Sequence, residues 1–462
     1  TVIKAKAEIQ FDENPPIVTN EIELTVDSQP PTSQVTQLAS EQTRSTFEVQ
    51  WQAQDDVSGI SQSELWVNEE RSDGRGRQRK DGSRMVEISD KVYTLFKART
   101  GNQDLKAQIR GKFGYTYRFF AVSRDNVGNI EPFPEQPQAI TKVGRAPQIP
   151  SGLRIVALPV QSEDEDPKTV FNFPENKWAT WDPTANNGQG GYVLYPNDAV
   201  KFSEPEKVPG RAYWVRLNEA TTPLVFGPMP DDTQPFTISL KKGWNLIGNP
   251  WLSDLIWDTN EIKVQVGNET KPLGNAQSII EPYAWRWDGN NYQLVYELPN
   301  VDNKIPAWEG AWVFAWQDCN LIVPAPQGNR SRQGRMAREK PEGWFAKLVA
   351  QVEEAKGQGL FGIAPRTRLQ ISQPPSPPER QNEGKVQVLF LDKEGNPSIA
   401  DIKAVMGQRQ EWDVVVSWEA EQRTRGTRQV DEVVVTFDGV GYAPKDVSLW
   451  LVDTVTGRRL YM

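Results

Sequence analysis

At the start of this chain, apolar side chains recur at every second position. Ile3, Ala5, Ala7, Ile9 and Phe11 fall on one side, and Lys4, Lys6, Glu8 and Gln10 on the other. A period of two marks a strand with one face turned away from water, and no helix can use it. After the turn Asp12-Glu13-Asn14-Pro15-Pro16 the alternation resumes, with Ile22, Leu24 and Val26 against Glu21, Glu23 and Thr25. It dominates the rest of the chain, so the expected fold class is all-β. Two strands alone are marginal in water. Residues 1–30 are therefore expected to finish a sheet whose other strands lie upstream, later in the chain or in a neighbouring molecule. Thr1 opens with neither initiator Met nor apolar leader, which reads as a processed piece of something longer.

Pro30-Pro31 marks a boundary, and residues 31–145 read as one β-sandwich, immunoglobulin-like or fibronectin-like. Its strands include Phe47 to Trp51, Ser63 to Val67 and Tyr115 to Val122, with turns at Asp55 to Gly59 and Asp125 to Asn129. Residues 146–328 carry a degenerate duplication, with repeats at about 152–240 and 243–323. Gly152-Leu153-Arg154-Ile155-Val156-Ala157-Leu158-Pro159 matches Gly243-Trp244-Asn245-Leu246-Ile247-Gly248-Asn249-Pro250. Trp178-Ala179-Thr180-Trp181-Asp182 with Tyr192 matches Trp285-Arg286-Trp287-Asp288 with Tyr292. Pro209 to Val215 matches Glu309 to Val313. Eleven of the 17 Trp residues lie between 178 and 316, so these cores are expected to be built on indole. Residues 329–378 read as a linker with one short helix, Gly343 to Lys356, whose apolar stripe is Trp344, Phe345, Leu348, Val349 and Val352. Residues 379–462 read as a second small sandwich, with strands at Val386 to Leu391, Val414 to Trp418, Val433 to Phe437 and Val447 to Val452.

Among 462 residues there is no histidine. That removes Ser-His-Asp and Cys-His catalysis, His-ligated zinc and imidazole switching. The single cysteine, Cys319, removes intrachain disulfides and Cys-rich metal sites. A pair of carboxylates could still hydrolyse a glycoside, but no nucleophile elbow, phosphate loop or acid–base pair at recognisable spacing occurs. The expectation is no enzyme, no cofactor and no metal. A net charge of -9 argues against a nucleic-acid partner, and no apolar run reaches the roughly 20 residues of a membrane helix.

Several segments resemble known modules. Ala7-Glu8-Ile9-Gln10-Phe11-Asp12 with Asn14 to Thr19 resembles the closing strands of repeat modules in very large bacterial secreted and surface proteins. Asp56-Val57-Ser58-Gly59-Ile60 with Ala121 to Asn129 resembles immunoglobulin-like modules of the same proteins. Gly243 to Pro250, and the ending Val447 to Asp453 with Gly457, resemble C-terminal β-modules of exported bacterial proteins. The resemblance implies an extracellular location and a multidomain parent, and it carries over no catalytic residue.

Two functional readings follow. In the first the chain is a structural component of a surface, appendage or matrix. Its candidate assembly strands, Ile3, Ala5, Ala7, Ile9, Phe11 and Ile22, Leu24, Val26, would add to an open sheet of a second copy or a neighbouring module. In the second it is a glycan-binding adhesion or targeting segment, with Trp178, Trp181, Trp285 and Trp287 as candidate stacking residues, since Trp-x-Trp sets both rings on one strand face. Core filling is the plainer reading of those rings. Asp55, Asp56, Asp125 and Asn126 have the donor chemistry for calcium, although ordinary turn bonding explains them as well. The acidic run Glu163-Asp164-Glu165-Asp166 reads as a solvated loop. The basic stretch Arg71, Arg75, Arg77, Arg79 and Lys80 reads as a loop that could meet an anionic surface.

Overall fold

A computed structural model describes residues 1–74, 84–171, 178–195, 208–297, 301–326, 343–352, 355–363, 369–371, 374–375, 377–378, 385–404, 409–419 and 432–462. Nearly all regular structure in it is sheet, as the alternation predicts. The chain divides into two compact units, Thr1–Ala146 with Leu224–Asp232, and Pro147–Pro223 with Thr233–Met462.

The first unit holds a β-sandwich. One sheet runs in the order Glu41–Gln42, Ala139–Val143, Tyr115–Asp125, Ile60–Arg71, Lys91–Thr100, Met85–Ile88. The other has Lys106–Arg110, Thr46–Gln54 and Thr32–Val35. Strand Thr46–Gln54 buries Phe47, Val49, Trp51 and Ala53, alternating with polar residues, and Phe47 meets Tyr117 and Phe119 edge-on. Strand Tyr115–Asp125 lies inside its sheet and is covered on both faces. On the second face Phe120 and Val122 join Trp66 and Tyr93 in a smaller cluster. The buried Trp51 indole donates to Ser63 Oγ at 2.9 Å, which removes the cost of an unpaired N–H. Segment Leu224–Asp232 returns to this unit: Gly227–Pro228 pairs with Lys112–Phe113, and the Asp232 carboxylate accepts from Arg44 Nε and Ser45 Oγ, each at 2.9 Å.

In the second unit the duplication is a topological identity. Gly152–Ala157, Ala212–Leu217, Trp178–Asp182 and Gly191–Leu194 form one four-stranded sheet in that order. Gly243–Gly248, Gly310–Ala315, Ala284–Trp287 and Tyr292–Val295 form the other in the same order. The registers align Trp214 with Trp312, Trp181 with Trp287 and Tyr192 with Tyr292. Trp285 therefore corresponds to Ala179 and not to Trp178, since both stand opposite the shared Trp of the neighbouring strand.

The two sheets share one aromatic core and exchange equivalent contacts. Trp181 Nε1 donates to the Trp244 carbonyl at 2.8 Å, and Trp287 Nε1 to the Leu153 carbonyl at 2.9 Å. Trp181 lies edge-on to Trp312 at 5.2 Å, and Trp287 to Trp214 at 5.5 Å. Val156 bridges to Glu309, and Ile247 to Arg211. The backbones approach so closely along this line that a Cβ on Gly248 would collide with the Arg211 carbonyl, and one on Gly310 with Ala212. Gly210 and its counterpart Trp308 both have positive φ, and their carbonyls accept from Gly248 N and Ala157 N at 2.9 Å. A left-handed Trp costs on the order of 1–2 kcal/mol, and its buried ring offsets this. The second copy adds a further layer, the sheet Phe236–Leu240, Cys319–Val323, Lys263–Val266, Glu269–Pro272, packed on its outer face.

The expected helix from Gly343 to Lys356 is a correction. Trp344–Val352 and Ala355–Ile363 are the two strands of a hairpin. Trp344, Ala346, Leu348, Ala350 and Val352 all point into the C-terminal core. Phe345, on the opposite face, is buried too and joins the core of the duplicated domain. A strand apolar on both faces loses its clean alternation, and its Trp-Phe start then mimics a helical stripe. The hairpin lies in a five-stranded sheet, in the order Leu369–Ile371, Ala400–Lys403, Ala355–Ile363, Trp344–Val352, Val434–Asp438. It faces a three-stranded sheet, Pro397–Ser398, Lys385–Leu391, Asp413–Glu419. A hairpin, Trp450–Val452 with Arg459–Tyr461, ends the chain.

Candidate functional site

The candidate assembly strands pair with each other. Val2–Ala5 runs antiparallel to Ile22–Thr25, and Glu8–Ile9 to Ile17–Val18, so residues 1–26 form a two-stranded ribbon. Ile3 stands opposite Leu24, Ala5 opposite Ile22, and Ile9 opposite Ile17. Between the two paired segments the returning strand carries one extra residue, a bulge that keeps these apolar pairs on one face. On the other face stand Val2 with Thr25, Lys4 with Glu23, and Glu8 with Val18. Lys4 lies within ion-pair reach of Glu23 and, at 3.4 Å, of Glu21. Such exposed pairs contribute about 0–1 kcal/mol.

Nothing among the described residues covers the apolar face. Phe11 is 64% exposed, Leu24 57% and Ile3 51%, and Ala5, Ala7, Ile9, Ile22 and Val26 are also exposed. Ile17 and Val18 were not among the candidate assembly residues, although the resemblance placed Asn14 to Thr19 in the closing strands. They follow directly on the Pro15-Pro16 turn, and the pairing with Ile9 shows that they belong to the ribbon.

The base of the ribbon is tied to the sandwich. Asp27 accepts from the backbone N–H groups of Gln29 and Ser58, and Asn129 Nδ2 donates to the Asp27 carbonyl at 3.1 Å. Asp27, Asp55 and Asp125 bring carboxylate oxygens within 4.8 Å of one another, which identifies the trio that could hold a cation. Asp56 is not in it. Each of the three already caps a turn: Asp55 Oδ2 accepts from Ser58 N and Gly59 N, and Asp125 Oδ1 from Gly128 N and Asn129 N. Desolvation raises the Asp125 carboxyl, but the Asn129 side chain and these backbone donors outweigh it and hold the group below the usual carboxylate range. Turn bonding accounts for the arrangement.

The four candidate stacking residues belong to the core. Trp178, Trp285 and Trp287 are buried. Trp181 is part-buried, edge-on to Tyr192 and Trp312, with its indole N–H committed to Trp244. Trp181, Trp285 and Trp287 are covered by the other copy's sheet, whereas Trp178, three positions from Trp181 and so on the opposite strand face, packs on Phe171 and Tyr213. Tyr213, sealed beneath the first sheet, has its phenol pushed up to about 12 by burial.

The remaining candidates are quiet. Asp166 accepts from Lys168 N and from the Tyr195 hydroxyl at the start of the short helix Pro167–Phe171. Arg71 lies 4.1 Å over the Phe226 ring, whereas Arg75, Arg77, Arg79 and Lys80 lie outside the described residues. Cys319 is buried in a strand, and burial, with Asp318 adding to it, raises its thiol to about 11, far from a reactive thiolate. No helix among the described residues is long and apolar enough to cross a membrane. No protein-family model, curated protein or solved structure matches the chain.

Proposed function

We propose that this chain is a non-enzymatic structural component of an extracellular bacterial surface, appendage or matrix, joined to a second copy of itself through its amino-terminal ribbon. One observation carries the reading: the ribbon is amphipathic, and its apolar face is open. A lone two-stranded ribbon is marginal in water, and an uncovered row of Ile, Leu and Phe marks an interaction surface. Backbone pairing at the ribbon edge gives affinity, and side chains at alternate positions give register. In this reading the ribbon docks on a different surface of the second copy, and a head-to-tail contact of that kind propagates into a filament or lattice. The extracellular setting rests on the module resemblances of the sequence.

The test is static light scattering and negative-stain electron microscopy of the full chain beside Ile3→Glu and Leu24→Glu. The wild-type chain should form large regular assemblies and both variants should stay monomeric, with unchanged circular dichroism showing that they are folded. A monomeric wild type, or variants that still assemble, would defeat the reading.

A further inference from the structure

The duplication supplies its own internal control. Positions filled alike in both copies, such as Trp214 with Trp312, serve the shared core. Positions at which the copies differ show what one copy has and the other lacks, and two such differences meet at one place. Leu153, Arg216 and Asn218 of the first copy correspond to Trp244, Phe314 and Trp316 of the second. The hairpin of the first copy is also longer: Tyr192 follows Trp181 by eleven positions, and Tyr292 follows Trp287 by only five. The extra residues bring the Gly188 carbonyl against Gly243, beside Trp244.

The result is an aromatic row running from the core to the surface. Trp244 lies 5.2 Å from Phe314, and Phe314 4.8 Å from Trp316, each pair edge-to-face. Exposure grows along the row, from part-buried Trp244 and Phe314 to Trp316 at 47%. Trp316 Nε1 donates to Glu281 Oε1 at 3.1 Å, and Glu281 N to the Phe314 carbonyl at 2.9 Å, so the outermost ring is held in place. On the loop, Asn186 and Asn187 both adopt left-handed φ, at 51° and 59°, which Asn enters more readily than most residues, and Asn186 Nδ2 donates to the Gly190 carbonyl at 2.9 Å within the turn. Asn187 is exposed.

We propose that this row binds a neutral polysaccharide. Sugar rings present apolar C–H faces that lie on indole and phenyl rings, and hydroxyl rims that bond carboxylates and carboxamides. Trp316, backed by Phe314 and Trp244, supplies the first surface, and Glu281 with the exposed Asn187 of the loop the second. Glu281 disfavours an anionic polymer, and no Lys or Arg belongs to the row. This site is independent of the ribbon.

Affinity electrophoresis of the full chain, in separate gels containing hydroxyethyl cellulose, xylan and glucomannan, tests it. At least one polymer should retard the wild-type chain. Trp316→Ala should weaken the apparent affinity at least tenfold, and Glu281→Gln, which preserves shape, severalfold. Trp450→Ala, which removes the exposed Trp of the C-terminal hairpin, should leave retardation unchanged, as should Leu24→Glu. Retardation by none of the three polymers, or equal retardation of Trp316→Ala and wild type, would overturn the proposal. If Trp316→Ala instead abolished self-association in sedimentation, the row would be a protein interface and the proposal would again fail.

Discussion

The amino-terminal ribbon and the Trp-rich domain use the same code to opposite ends. Both alternate apolar and polar residues along short antiparallel strands. In the Trp-rich domain each apolar face meets its equal, and Trp312 has no exposed surface left. In the ribbon Ile3 and Leu24 meet only each other, and both remain more than half exposed. Alternation thus states that a strand has an apolar face and is silent about what covers it. Where the partner sheet is encoded in the same chain, the face becomes core; where it is not, the face becomes a surface that can bind.

Four substitutions sharpen this contrast, beginning with the largest effect. Trp312→Ala empties the place where both copies interlock, and should destabilise the second unit by about 3–5 kcal/mol in denaturant unfolding. Gly248→Val forces a side chain into the Arg211 carbonyl, and overpacking of this kind costs about 1–3 kcal/mol. Asp125→Asn should produce a smaller loss that depends on pH. The folded-state pKa of Asp125 lies below its ordinary value near 4, so its contribution is present above that value and is lost as pH falls through the folded one. The difference in melting temperature between wild type and Asp125→Asn should accordingly be seen at neutral pH and shrink below about pH 4. Leu24→Glu, though equally apolar to polar, should shift stability by less than about 0.5 kcal/mol at dilutions where the wild-type chain is unassembled, because there the residue it replaces is already in water. A large loss there would mean that the ribbon is covered within its own chain.

Much of the fold was legible. Strand positions in the first sandwich, the duplication and the turns at Asp55 and Asp125 could be read from spacing and turn chemistry, because these are local properties. Pairing partners were not local. Trp285 looked equivalent to Trp178 in sequence, yet the register sets it against Ala179, as counting back two positions from the shared Trp-Asp pair also does. The Trp-x-Trp pattern placed Trp285 and Trp287 on one face but could not tell that the face was closed, and it failed for Trp178 and Trp181, which stand three apart and so on opposite faces. Trp344 to Val352 misled for a related reason: with Phe345 buried on the second face, the alternation that marks a strand was blurred. The aromatic row at Trp316 lay in plain sight within the duplication, at the positions where the two copies disagree.

The exchange of hydrogen bonds between the copies also sets the order in which the domain can form. Trp287 must find the Leu153 carbonyl across 134 positions of chain, while Trp181 reaches Trp244 across 63. Neither four-stranded sheet can close its inner face until the other has been made. Loop closure over such distances comes before any gain from the contact, so this domain should fold slowly and in one concerted late step, with its indoles open to solvent until then.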